Sequence, residues 1–283
     1  MAMILKGKPV VEALKEDLRR EISSIREEGI VPTLGIIRVG NRPDDVAYEN
    51  SVIKNCKSVD LHTEVFDVGV DITMEDFTAV VKDVNANANI HGILMFRPLP
   101  SHLDINAIKH LIDPQKDIDC MNPMSLAKVF EGCKDGFAPC TPKAVIEMLK
   151  FNDIPLRGGN VVIINSSLVV GRPLGMMMID NKATITICHS ATKNLPEVAS
   201  RADIVITAVG RRRMFDESYF NKDAVVIDVG INDDGEGGIC GDVDYHKVQE
   251  KVKAITPVPG GVGTVTTAIL MKHVVEACKL QKA

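Results

Sequence analysis

Residues 256 to 268 read Thr-Pro-Val-Pro-Gly-Gly-Val-Gly-Thr-Val-Thr-Thr-Ala, and this stretch constrains the chain most tightly. Pro257 and Pro259 fix φ, while Gly260, Gly261 and Gly263 permit positive φ or a close backbone approach. The run follows a short apolar strand expected at 252–255 and leads into a helix expected at 267–280. An ordinary tight turn needs less punctuation than this. We read it as a rigid, side-chain-poor loop against which a flat ligand lies.

The 283 residues are long for one core and comfortable for two. A 45% hydrophobic, 25% charged composition describes an ordinary globular chain, and a net charge of -5 gives no general pull toward nucleic acid or anionic membranes. No apolar run is long enough to span a bilayer, and the first residues lack the apolar core of a signal peptide. The seven cysteines include no Cys-x-x-Cys pair, so free thiols in a reducing cytoplasm are expected rather than a zinc site or disulfide framework.

Periodicity sets out two α/β units. The first has a helix at 10–28, strand 33–39, helix 44–59, strand 63–68, helix 73–85 and strand 92–96, closed by Pro98-Leu-Pro100. The second opens with a helix from Pro142 to about 152. Strands follow at 160–164, 183–188, 204–209 and 224–229, with helices at 171–181 and 194–201. Such Val/Ile strands, buried on both faces, mark a doubly wound, Rossmann-like parallel sheet. The expected division is 1–140, completed by a C-terminal helix at about 267–283, and 141–266 as the dinucleotide-binding domain.

Ligands of such sheets collect at the carboxyl ends of the strands. The first end reads Asn165-Ser166-Ser167-Leu168-Val169-Val170-Gly171, which departs from Gly-x-Gly-x-x-Gly. It suits a pyrophosphate-binding turn and a plain strand-to-helix turn about equally. The second end, His189-Ser190-Ala191-Thr192-Lys193, lacks the acid that usually accepts from a ribose 2′-OH. The third runs into Gly210-Arg211-Arg212-Arg213, read as a solvated loop with phosphate contact the lesser alternative. The fourth places Ile231 where an apolar residue touches the nicotinamide or its ribose.

Taken together, these segments resemble the methylenetetrahydrofolate dehydrogenase/methenyltetrahydrofolate cyclohydrolase family. The landmarks are Gly92-Ile-Leu with Pro98-Leu-Pro100, Lys116-Asp-Ile-Asp119, Pro139-Cys-Thr-Pro142, Val170-Gly-Arg-Pro173, Cys188-His-Ser190, Ala202-Asp203, Ala208-Val-Gly210 and Thr256-Pro-Val-Pro-Gly-Gly-Val-Gly263. The resemblance implies a cytoplasmic homodimer of one-carbon metabolism, and purine biosynthesis with it, that binds a tetrahydrofolate substrate in a cleft between two domains and uses no metal. It implies that Tyr48 stacks on the pterin, that Asp119 binds the pterin ring and that Pro259, Gly260 and Gly261 close over the folate. Asn165, Ser166, Ser167, Gly171, Ser190 and Ile231 fall on cofactor-contact positions. NADP is the first expectation, because no acid stands near Ser190, and NAD the alternative, because Ser166 stands where many relatives carry an arginine for the 2′-phosphate.

The chain departs from that family at two linked positions. The family helix reads Tyr-x-x-x-Lys, with the lysine serving hydrolysis, whereas here Tyr48-Glu-Asn-Ser-Val52 has valine. Lys54 is no substitute: at about 100° per residue it lies about 120° from Tyr48, whereas Val52 lies about 40° away. A family glutamine that bonds the lysine is replaced by Phe96, and strand alternation turns neighbouring Arg97 to the opposite side. Removing both polar partners avoids an orphaned donor. Cys120 and Thr264 replace a usual glycine and proline.

Hydride transfer needs two rings apposed in a dry site, whereas opening a methenyl bridge needs water and a positioned proton carrier, worth roughly 10²–10⁴-fold. The expectation is a dehydrogenase whose cyclohydrolase is weak or lost. A full bifunctional enzyme and a catalytically silent folate- or dinucleotide-binding regulator are the alternatives.

Overall fold

The computed structural model describes residues 1–282. In chain order its elements are β1 (Met3–Ile4), α1 (Gly7–Glu27), β2 (Thr33–Val39), α2 (Pro43–Lys57), β3 (His62–Val68), α3 (Met74–Ala86), β4 (Gly92–Met95), α4 (Ile105–Ile108), α5 (Pro123–Glu131) and α6 (Cys140–Phe151). Then follow β5 (Asn160–Ile164), α7 (Gly171–Asp180), β6 (Thr184–Cys188), α8 (Leu195–Ala199), β7 (Ile204–Thr207), a 3-10 turn at Glu217–Tyr219, β8 (Val225–Asp228), β9 (Asn232–Asp233), β10 (Ile239–Cys240), α9 (Tyr245–Val248), β11 (Ala254–Ile255) and α10 (Val262–Leu280).

Two compact units result: Met1–Glu12 with Thr141–Thr266, and Ala13–Cys140 with Thr267–Ala283. The expected division began its first unit at residue 1. Residues 1–12 instead group with 141–266, because β1 pairs in parallel with β11 (Met3 with Ala254, Ile4 with Ile255). The last residue of the helix expected at 267–283 lies outside the described residues. That helix starts at Val262, five positions earlier than its pattern suggested, directly after Gly261.

The first unit carries a six-stranded sheet in the order β1-β11-β8-β7-β5-β6, with every pairing parallel. Its inner strands β7 and β8 are buried throughout, as the unbroken Val/Ile runs require. Val162, Ile164, Val205 and Val226 pack there with Phe215, Phe220 and Ile255.

In the second unit three parallel strands run in the order β3-β2-β4, and all seven residues of central β2 are buried. Thr73 caps α3 by accepting from the Asp76 N–H at 3.1 Å, and the helix then lays Phe77, Val81 and Val84 into the core with Ile37, Ile90 and Ile93. Within this core lies a guanidinium. Arg38, on β2 and 5% exposed, donates to Glu49 of α2 at 2.8 Å and pairs with Asp67 of β3 at 2.9 Å. It also binds the Gly40 carbonyl and the Asn41 side chain. Chiefly through the Glu49 hydrogen bond, these partners push the Arg38 pKa up despite its burial. One cation thus fastens α2 to two strands, and α2 carries Tyr48.

Breaking a buried pair strands its partner's charge. Arg38→Met is therefore expected to destabilise the protein by about 3 kcal/mol, seen as a lower urea midpoint. An unchanged midpoint would show that the clamp contributes nothing.

Candidate functional site

Helix α2 opens at Pro43 with Asp44 and Asp45 in its first turn, a favourable pairing with the helix dipole. One turn on it presents Tyr48, 44% exposed, and then Val52, fully buried. Phe96 follows β4, is 6% exposed and keeps one ladder contact, its N–H donating to the Ile37 carbonyl at 3.0 Å. The Tyr48 and Phe96 ring centroids lie 5.3 Å apart at 40°, within the range of favourable aromatic pairs. Lys54 is exposed, outside this arrangement. The two positions expected to lack a polar pair are apolar and enclosed.

Asp119 stands nearby. Its Oδ2 accepts from the Arg97 guanidinium at 3.2 Å and its Oδ1 from the Cys140 backbone N–H at 3.3 Å. This corrects the expectation that Arg97 faces away: β4 ends at Met95, so strand alternation does not extend to residue 97. Crowding raises the Tyr48 phenol to about 12, with desolvation the larger cause and the Asp119 charge next. At neutral pH Tyr48 is therefore a protonated phenol, unable to serve as a base. Cys120 adopts φ 57°, the left-handed region that favours glycine, at the position where a glycine was expected. Buried Cys140, whose Sγ lies 3.5 Å from the Ile118 carbonyl and 3.8 Å from His273 Nδ1, has its pKa driven well up by desolvation, which keeps it a thiol.

The glycine loop has internal reasons for its composition. Gly260 sits at φ 100°, and a Cβ on Gly261 would meet the Pro257 carbonyl at 2.4 Å. The Gly7 N–H donates to the Gly260 carbonyl at 2.8 Å, tying this loop to the start of α1. Pro259 and Gly260 form its exposed tip. Ile231 is 62% exposed, and a methyl on Gly263 would lie 3.6 Å from it.

At the carboxyl ends of β5, β6 and β7 lies a cavity of about 410 Å³. Asn165, Ser166, Ser167 and Ser190 line it, four of the six expected cofactor contacts. Gly171 and Ile231 stand outside its wall. The Gly171 N–H is engaged by Asn165 Oδ1 at 2.9 Å, and a Cβ there would overlap the Asn165 carbonyl, so this glycine permits close packing. Hydroxyls, the Arg211 side chain and the apolar Leu195, Val209 and Met214 suit the adenosine end of a phosphorylated nucleotide. Arg211, in the run expected to be a solvated loop with phosphate contact the lesser alternative, is exposed and also lines this cavity. Among the described residues, no group of three or more His, Cys, Asp or Glu is placed to hold a metal ion.

Two buried carboxylates, missed in the sequence, hold these edges. Asp242 accepts from the N–H groups of Val209, Gly210 and Arg211 and from the Asn232 amide. Asp228 accepts from Thr207 Oγ1 and from the N–H groups of Gly230, Asp242 and Val243. Burial pushes the Asp228 pKa up to about 6, against the downward pull of those N–H donors, and the Asp242 charge adds to the rise.

A six-stranded parallel sheet with a polar cavity at its carboxyl edge, joined in sequence to a second α/β unit that gathers Tyr48, Phe96, Arg97 and Asp119, defines a two-domain α/β protein of the dinucleotide-binding class. Residues 5–119 match the catalytic domain, and residues 139–282 the NAD(P)-binding domain, of the tetrahydrofolate dehydrogenase/cyclohydrolases. A protein of Desulfitobacterium hafniense, bifunctional protein FolD 1, is 58% identical over 281 residues, covering 99% of this chain and 100% of its own. The crystal structure of the bifunctional FolD of Campylobacter jejuni superposes with a TM-score of 0.96 at 35% identity, covering 99% of each chain. A Trypanosoma brucei methylenetetrahydrofolate dehydrogenase-cyclohydrolase, solved with NADP and an inhibitor, gives 0.91 at 28% identity over 98% of this chain and 97% of its own. The chain belongs to the tetrahydrofolate dehydrogenase/cyclohydrolase family.

The Asp228 carboxyl supplies a pH test. Its folded pKa, about 6, lies above its ordinary value of 3.8. Its stabilising contribution is therefore complete below about pH 4 and is lost as pH rises through about 6. A carboxyl-carbon NMR titration of Asp228 should show a midpoint near 6; a midpoint below 4 would contradict the desolvation argument.

Proposed function

We propose that the protein is a 5,10-methylenetetrahydrofolate dehydrogenase whose methenyl-hydrolysing activity is weak or absent. One observation carries this reading: Val52 is fully buried and Phe96 is 6% exposed, at the positions where the family's hydrolytic lysine and its glutamine partner belong.

A nicotinamide dinucleotide held at the cavity lined by Asn165, Ser166, Ser167 and Ser190 would supply a hydride acceptor for the substrate's one-carbon bridge, which would become the methenyl cation. The chain's part is binding and exclusion. Tyr48 offers a ring face to the folate, and Asp119, oriented by Arg97 and the Cys140 N–H, accepts from the pterin. Pro259, Gly260 and Gly261 cover the substrate, while Ile231 touches the nicotinamide end. Phe96, packed on Tyr48, keeps water from the bridge. No protein proton has to move in this step. Hydrolysis does require one, and Arg97 cannot take it, because a guanidinium stays protonated. Asn165, Ser166, Ser167 and Ser190 hold the dinucleotide, with Gly171 allowing the loop to pack closely behind them. By family analogy we place the enzyme in the cytoplasm as a homodimer serving one-carbon metabolism and purine biosynthesis.

A second reading keeps both activities. The 58% identical relative bears a bifunctional name, and Arg97 brings a cation to Asp119. A silent regulator finds less support, since Tyr48, Asp119 and the glycine loop are all retained.

Separate assays of the two steps on one preparation decide between these. Dehydrogenase turnover should exceed hydrolysis by at least the roughly 10²-fold worth of a positioned proton carrier. Val52→Lys with Phe96→Gln should then raise hydrolysis. Equal wild-type rates would establish the bifunctional reading.

A further inference from the structure

The acid that selects NAD in doubly wound sheets follows the second strand of the nucleotide-binding half. Here β6 is followed by His189 and Ser190, both lining the nucleotide cavity, and no carboxylate lines it among the described residues. Arg211 stands at the end of the loop leaving β7 and lines the same cavity. Its backbone is fixed, the N–H donating to Asp242 Oδ1 at 2.8 Å while Val209 and Gly210 donate to Oδ2. Its guanidinium makes no hydrogen bond or ion pair among the described residues.

The neighbouring arginines are turned elsewhere. Arg212 lies against Gly235, where an added Cβ would come within 2.6 Å of its Nη1, and its charge acts on Asp234. Arg213 lines a separate cavity with Tyr245 and Pro257. Arg172, close in sequence to the first turn, has its Nε committed to the Ser166 carbonyl at 2.9 Å. Of the three consecutive arginines, 211 alone faces the nucleotide cavity.

We propose that Arg211, with Ser190, forms a subsite for the ribose 2′-phosphate and makes NADP the preferred cofactor. The inference rests on the dinucleotide-binding reading of this unit and deepens it. A guanidinium matches a phosphate with two parallel N–H donors, which a serine at position 166 cannot supply. The Asp242 anchor holds the arginine's backbone in place before the ligand arrives, which lowers the ordering cost of binding. Lys193, also on this edge, does not line the cavity.

Calorimetric titration of the full-length protein with 2′,5′-ADP and with 5′-AMP tests this without any turnover. The wild type should bind 2′,5′-ADP about ten- to hundredfold more tightly, the range of a charge-assisted contact. Arg211→Gln should erase most of that difference, Arg211→Lys should restore part of it, and Lys193→Gln should change it less than about threefold. The NADP-over-NAD ratio of kcat/KM should fall in parallel in Arg211→Gln. Discrimination that survives Arg211→Gln, or that disappears in Lys193→Gln, would overturn the assignment. A wild type that binds neither nucleotide would overturn the dinucleotide reading itself, and this inference with it.

Discussion

Parallel strands leave their carboxyl-end loops with N–H groups that no neighbouring strand can accept, and this chain answers with buried side-chain oxygens. Asp117, in the connection between α4 and α5, serves its own loop in the same way, accepting from Met121 and Asn122, each at 2.8 Å. Asn165 accepts from Ser167 and Gly171, and Asp228 and Asp242 gather the loops after β7 and β8. Ligands of such sheets bind at these same edges, so the groups that satisfy the backbone also fix the site. The cost is visible in the carboxyls themselves: burial raises the pKa of both Asp117 and Asp228.

Against that fixed frame, the departures from the family stand out as local changes. A buried ammonium is tolerated only with a well-placed polar partner, and replacing such a pair with apolar groups of similar volume is often neutral or stabilising. Val52 and Phe96 form such a replacement, and the Tyr48–Phe96 contact shows how the space is used. On the function proposed above, the chemistry lost is proton handling, while the surfaces proposed to bind flat rings remain. Cys120 shows a different tolerance, a non-glycine residue held in the left-handed region directly after two hydrogen-bonded aspartates, Asp117 and Asp119.

Much of this was legible because buried strands are written as apolar runs with clear punctuation. The strands at 33–39 and 160–164 begin and end where the sequence places them. The short elements α4, β9 and β10 were not, since two to four residues carry little periodicity, nor was the nine-residue α5, whose Asn122 cap acts through a single hydrogen bond. The pairing of β1 with β11 joins residues some 250 positions apart in sequence, beyond the reach of any local pattern. Arg97 was misplaced because alternation says nothing about a side chain once its strand has ended.

The central claim is that an apolar surface faces the substrate's one-carbon bridge where hydrolysis requires a proton carrier. A crystal structure with a bound tetrahydrofolate analogue tests it most directly. The account predicts Phe96 toward the bridge, Arg97 still on Asp119, and no nitrogen cation within hydrogen-bonding distance of the bridge carbon, about 3.5 Å. A lysine amine or the Arg97 guanidinium seated at that carbon would contradict it.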